Sequence, residues 1–370
     1  MKTSLSSVAL LILISTACTS HEAGQQYLPA DPQATPESTK LFTRLMALED
    51  KGVMYGHQDD LMYGTSWWYE ENRSDVKEAT GDYPGVAGFE LGEIEKGGER
   101  SLDSVSFAQI TEQVKIFHRL NGVITVSWHC INPITSQLPG PKTANGPGSA
   151  WDVPRGEGQA KSRGEVSSIL PGGENHDMFN RWLTTLADYF LTWKDDDGRL
   201  IPFLFRPYHE HSGDFFWWGD TRCTAGEYAD LWRYTVDFMR SRGLHNILYV
   251  YNTDKVYSLE EFMTGYPGDD YIDMLAIDWY GSGAEFNEAV DRALGFVTDA
   301  ARQRNKLAAL SECGNMSWEM VNIMKKYRLS YFLTWRNAYQ PNPAMRWRMS
   351  NDNLGWMYHD PHTLFLQDIQ

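Results

Sequence analysis

Eight short apolar runs, separated by longer stretches with helical periodicity, constrain this chain more than any other feature. The runs span 53–57, 84–90, 123–129, 201–210, 247–251, 274–278, 307–312 and 331–335. Amphipathic stretches lie between them, clearest at 107–120, 178–191, 227–242 and 285–303. Strand and helix alternating eight times predict an α/β fold, a single (β/α)8 TIM barrel with long loops on its catalytic face. The 370 residues are 42% hydrophobic and 22% charged, enough for a full core in one such domain. No internal repeat or second domain is evident.

Polar residues gather at the C-terminal ends of the runs, where barrels of this kind build their sites. His57, Glu90, His129, Glu210, Asp278, Glu312 and Trp335 each close a run. Side chains two apart in a strand share a face, which predicts that Thr125, Ser127 and His129 point together, as do Arg206, Tyr208 and Glu210. An arginine buried beside Glu210 belongs among carboxylates, whose charge it offsets. Two glutamates at strand ends, Glu210 and Glu312, are the minimum equipment for cleaving a glycosidic bond, one as proton donor and one as nucleophile or base.

The charge balance narrows the partners. With 33 basic and 49 acidic residues the net charge is −16, which disfavours nucleic acid and anionic membrane surfaces. A neutral substrate feels little of this field, and 14 Trp and 19 Tyr supply flat faces that can pack on sugar rings. The chain is expected to act as a monomer without a cofactor or metal.

The N-terminus reads as a targeting segment. Lys2 supplies a positive charge, residues 8–14 an apolar stretch, and Ser15-Thr16-Ala17-Cys18 a small-residue cleavage region. This resembles a bacterial lipoprotein signal over 1–17, with a lipid on Cys18, a tether over 18–38 and the catalytic domain over 39–370. The alternative is ordinary cleavage after Ala17. No later run reaches the ~20 apolar residues needed to span a bilayer. The expected location is the cell envelope, on the outer membrane, facing the periplasm or the exterior, with the lipid as the sole membrane contact.

Several longer motifs resemble family 26 glycoside hydrolases, especially the β-mannanases. They are Phe205-Arg-Pro-Tyr-His-Glu-His-Ser-Gly213 with Phe216-Trp-Trp-Gly219, Tyr55-Gly-His-Gln-Asp59, Ser127-Trp-His129, Ala150-Trp-Asp152, Asp278-Trp-Tyr280 and Thr334-Trp-Arg-Asn337. The resemblance covers the chain from about Lys40 to its end. It implies a retaining β-1,4-mannan hydrolase acting on mannan, glucomannan or galactomannan, with Glu210 as acid/base and Glu312 as nucleophile. It further implies a sugar-binding wall of His129, His209, Trp217, Tyr280, Trp335 and Arg336, supported by Arg206 and Asp278. Phe215 stands where some relatives have Trp, and Leu91-Gly-Glu-Ile-Glu95 is a loose form of the family's stretch after the second strand.

Other readings compete. The same fold also serves mannobiose-releasing exo enzymes, β-1,3-1,4-glucanases and β-1,3-xylanases. A glycan-binding lipoprotein without activity has no need for a matched acid and nucleophile. His209-Glu-His211 has the look of a metal clip, but no third ligand motif follows it. Cys130, Cys223 and Cys313 have no metal-type spacing and read as packing residues. The proline- and glycine-rich segment 130–177 is expected to be mostly ordered loop, forming a wall of the glycone side with Trp151 as a sugar platform.

Overall fold

A computed structural model describes residues 28–138, 146–155, 161–336 and 349–370. Eight parallel strands, β1 (Val53–Gln58), β2 (Val86–Glu90), β3 (Val123–Trp128), β4 (Phe203–Pro207), β5 (Ile247–Thr253), β6 (Met274–Trp279), β7 (Leu307–Cys313) and β8 (Tyr331–Thr334), pair in sequence order. β1 pairs with both β2 and β8, so the sheet closes into the expected barrel. Every residue of these strands is buried, which is why they read as continuous apolar runs without polar alternation. A short β9 (Thr363–Leu364) adds to the start of β1.

The four predicted amphipathic helices are present as Phe107–Arg119, His176–Phe190, Ala225–Ser241 and Ala284–Gln303. The third begins two residues before its expected start because Thr224 and Glu227 form a capping box, which satisfies two of the free N–H groups there. Its inner face, including Leu231, Trp232, Val236 and Met239, covers the barrel wall.

The folded unit reaches further toward the N-terminus than the tether expected over 18–38. Helix Pro36–Leu48 is capped by Thr35, and before it Ala30 N–H donates to Asp273 while Asp31 pairs with His245 at 2.9 Å. Residues 1–27, and with them the expected signal segment and Cys18, lie outside the described residues. Among the described residues no helix is long and apolar enough to cross a membrane.

Two local departures from regular strand geometry shape the catalytic end. β4 stops at Pro207, and Tyr208 and Glu210 then take left-handed φ values of 51° and 55°. The pleat is broken there, so Tyr208 does not share the face of Arg206 as alternation predicted. Its hydroxyl lies 2.9 Å from Thr235 Oγ1 on helix Ala225–Ser241, and its carbonyl accepts a 2.7 Å bond from Tyr228 OH. In β7 the register against β6 shifts, with Ile277 opposite Leu310 but Asp278 opposite Glu312. Ser311 is the extra residue of a bulge, a device that re-aims neighbouring side chains.

Candidate active site

The bulge and the left-handed turn bring Glu312 and Glu210 to one place. Oxygens of Glu210, Asp278 and Glu312 all lie within 4.8 Å of one another. Such closeness fits the ~5 Å carboxyl separation of retaining glycosidases better than the 6.5 Å or more of inverting ones. Like charges so near one another are costly, and Arg206 offsets them from below. Its Nη2 donates to Glu312 Oε1 at 2.5 Å, and its Nη1 to Asp278 Oδ2 at 3.2 Å and to Asn252 Oδ1. Ser311 Oγ–H donates to the other Asp278 oxygen at 2.7 Å.

Glu312 receives a second donor from Tyr280 OH, 2.9 Å from Oε2. Burial and the adjoining Glu312 carboxylate hold the Tyr280 phenol far above its ordinary pKa, so it stays a donor. Glu210 is fixed by its backbone, since its N–H donates to Asn252 carbonyl at 3.0 Å. Burial raises its pKa well above the carboxylate range, and the negative charges of Glu312, Asp278 and Asp254 raise it further. Asp278 is pushed up to about 8, by burial first and then by Glu312. The cluster therefore retains a proton at neutral pH, and Glu210 has the strongest claim to it because no cation among the described residues pairs with it directly.

A ring of histidines and aromatics surrounds the pair. His209 Nε2 lies 3.9 Å from Glu312 Oε1, and burial together with His129 and Arg206 keeps this imidazole neutral. His129 packs edge-on against His209, with ring centres 4.6 Å apart, and stacks on Trp151 at 4.8 Å. Its Nδ1 lies 2.8 Å from Glu90 Oε2, close enough for an ion pair although off the line of a hydrogen bond. Burial disfavours charge on His129, but the Glu90 carboxylate outweighs it and raises the pKa. Ser127 Oγ–H donates to the same Glu90 oxygen, so the predicted common face of Ser127 and His129 holds.

Trp151, Phe215, Tyr280, Trp335 and Arg336 are each half-buried, leaving ring or donor surface open. Arg336 pairs with Asp103 at 2.8 Å and donates to Tyr63 OH at 3.1 Å. Trp217 departs from expectation. It has no exposed surface, its indole N–H donates to Cys130 carbonyl at 2.9 Å, and it packs under the wall instead of forming it. Phe216, which stacks on Trp218 at 4.5 Å and touches both His129 and His209, supports the ring from behind. His209 and His211 do not converge as the competing metal-clip reading would need. His211 turns away to stack on Tyr228 at 4.1 Å and bonds Thr264 carbonyl. Cys130 and Cys313 are buried and Cys223 half-buried, all as free thiols. Asn252, which anchors both Arg206 and the Glu210 backbone, escaped sequence reasoning; its signal was its place on the inward face of β5, one residue past the expected end.

Against this geometry, comparison with known proteins is decisive. The profile of Glycosyl hydrolase family 26 matches residues 30–368. The chain belongs to this family. A mannan endo-1,4-beta-mannosidase of Bifidobacterium adolescentis is 32% identical over 304 residues, covering 77% of this chain and 28% of that protein. One from Bacillus subtilis strain 168 is 24% identical, covering 98% and 95%. The solved family 26 β-mannanase of Bacteroides ovatus superposes with a TM-score of 0.80 at 37% identity, covering 90% of this chain and 96% of that one. The chain thus spans nearly the whole of some relatives and under a third of the Bifidobacterium protein.

Proposed function

We propose that this family 26 protein is a retaining endo-β-1,4-mannanase acting on mannan, glucomannan or galactomannan. The observation that carries the chemistry is the close Glu210–Glu312 pair with Arg206 against one member alone. Substrate follows the relatives, all named as acting on mannan, and the endo mode follows the Bifidobacterium and Bacillus enzymes, named as mannan endo-1,4-beta-mannosidases.

In this reading Glu312, oriented by Arg206 and Tyr280, attacks the anomeric carbon. Glu210 gives its proton to the leaving oxygen. Formation of the glycosyl ester removes the charge of Glu312, which lowers the proton affinity of Glu210 and lets it serve as base toward water. His129, Trp151, Phe215, Trp335 and Arg336 contact the sugars, while His209 supplies a neutral donor beside the nucleophile.

Substitution tests the roles. Glu312→Ala abolishes turnover of every mannoside. Glu210→Ala slows mannan hydrolysis by roughly 100- to 10,000-fold but preserves the first step on aryl mannosides with good leaving groups. Azide added to that variant yields a β-mannosyl azide; an α product, or no rescue, assigns the acid/base role elsewhere. A rapid fall in mannan viscosity supports internal cutting, whereas mannobiose alone at constant viscosity favours the exo mode.

The N-terminal motif supports a lipid anchor on Cys18 and a place in the bacterial cell envelope. The wild type then partitions with membranes, and Cys18→Ser is released as soluble, active enzyme. Recovery of the wild type wholly in the soluble fraction would leave ordinary secretion in its place.

A further inference from the structure

Glu312 and Asp278 are held by side-chain donors, but Glu210 is not. Burial and neighbouring charge act on its carboxyl, and among the described residues no side chain bonds it. Where its proton points therefore depends on the turn 208–211. That turn is strained, because Tyr208 and Glu210 both hold left-handed φ values, which residues other than glycine keep only where their surroundings over-determine them.

The entry to the turn is pinned through its backbone. Tyr228 OH donates to the Tyr208 carbonyl at 2.7 Å, Trp218 Nε1–H to the His209 carbonyl at 2.8 Å, and Glu210 N–H to the Asn252 carbonyl at 3.0 Å. The exit is held by His211. This residue is buried; its ring stacks on Tyr228, with centres 4.1 Å and planes 20° apart, and meets Tyr251 at 5.1 Å. Tyr228 thus ties both ends of the turn, by its hydroxyl at Tyr208 and by its ring at His211. The imidazole Nε2 lies 2.8 Å from the Thr264 carbonyl, in the segment that follows β5. Burial pushes the His211 pKa down to about 4, against the pull of the Thr264 and Asn252 carbonyls. The ring is therefore neutral at pH 7, with its N–H on the nitrogen that faces Thr264.

We infer that His211 is a positioning residue for the acid/base, fixing the exit of the turn so that the Glu210 carboxyl is held toward the leaving oxygen. The inference rests on the reading of Glu210 as proton donor. One peptide bond joins the two residues, whereas the groups that grip the His211 ring belong to other elements, Tyr228 to helix Ala225–Ser241 and Thr264 to the segment after β5. A ring released from them frees the backbone at Glu210 to relax. Proton transfer needs heavy atoms about 3 Å apart, so a small relaxation is enough to misplace the donor.

Leaving-group dependence separates a misplaced proton donor from a weakened fold. kcat/KM is measured for mannopentaose, whose leaving sugar needs the proton, and for dinitrophenyl β-mannobioside, whose leaving group does not. His211→Phe keeps the stacked ring and removes the N–H; the Thr264 carbonyl retains Tyr251 OH as a donor at 2.8 Å, which limits the cost to folding. His211→Asn keeps a polar group that falls short of Thr264. Each variant lowers kcat/KM on mannopentaose by roughly 10- to 100-fold and leaves the aryl substrate nearly unchanged, so a folding failure of one leaves the other to decide. His211→Gln, whose amide N–H extends about as far as Nε2, recovers most of the loss. Equal losses on both substrates, no loss on either, or a Gln variant no better than the other two overturns the assignment. Glu210→Ala is measured beside them. If it too loses both substrates equally, the reading of Glu210 as proton donor fails; if it discriminates and the His211 variants do not, the positioning role alone falls.

Discussion

Arg206 determines whether three neighbouring carboxyl groups can coexist. It is fully buried, as is Asp278, and it touches Asp278 and Glu312 at once. Replacing it with Met removes the cation but keeps the bulk, leaving carboxylates that must be protonated or repel. Breaking a buried pair on one side costs about 3–5 kcal/mol. Arg206→Met is therefore expected to lower urea stability by that amount at pH 7 and to lose most activity, because Glu312 loses the donor that orients it. Unchanged stability with full activity would remove Arg206 from the account. Residues such as this were legible in the sequence because charged groups at the ends of apolar runs have few structural explanations. Trp217 was not, since a tryptophan within a loop motif carries no mark of which way it faces; only the Cys130 carbonyl that captures its N–H decides the matter.

Elements carry the geometry that these residues need. The barrel strands were legible because double-sided burial leaves no polar alternation, and the helices because their apolar stripe repeats every 3.6 residues. The turn after β4 was not legible, because its left-handed Tyr208 is held by Thr235 and Tyr228 on a later helix and its left-handed Glu210 by the Asn252 carbonyl on β5. Buried carboxyls also tie elements together away from the site. Glu49, just past the first helix, accepts from Ser330 Oγ at 2.6 Å and from the β7 residue Ala308 N–H at 3.3 Å, and burial raises its pKa to about 7. The folded state holds this proton more tightly than the unfolded chain, so stability falls as pH rises from the unfolded value near 4.5 through 7. Glu49→Gln keeps the accepting oxygen and removes the titration. Its stability should match the wild type near pH 4 and exceed it at pH 8 by about 3 kcal/mol, measured by urea unfolding. Parallel pH profiles for the two proteins would contradict the assignment.

At the scale of the whole molecule the two ends of the barrel divide the work. Strand C-terminal ends hold Glu210, Glu312 and their aromatic surround, and the N-terminal segment docks at the other end through Ala30 and Asp31. The catalytic end faces away from the docked N-terminal segment, and a net charge of −16 leaves a neutral polysaccharide free to approach it. The central claim, double displacement by a close carboxylate pair on a β-mannan, is tested most directly by following the anomeric proton of the first product released from mannopentaose. The account predicts that the β-anomer appears first and mutarotates slowly toward equilibrium. Initial release of the α-anomer would contradict it.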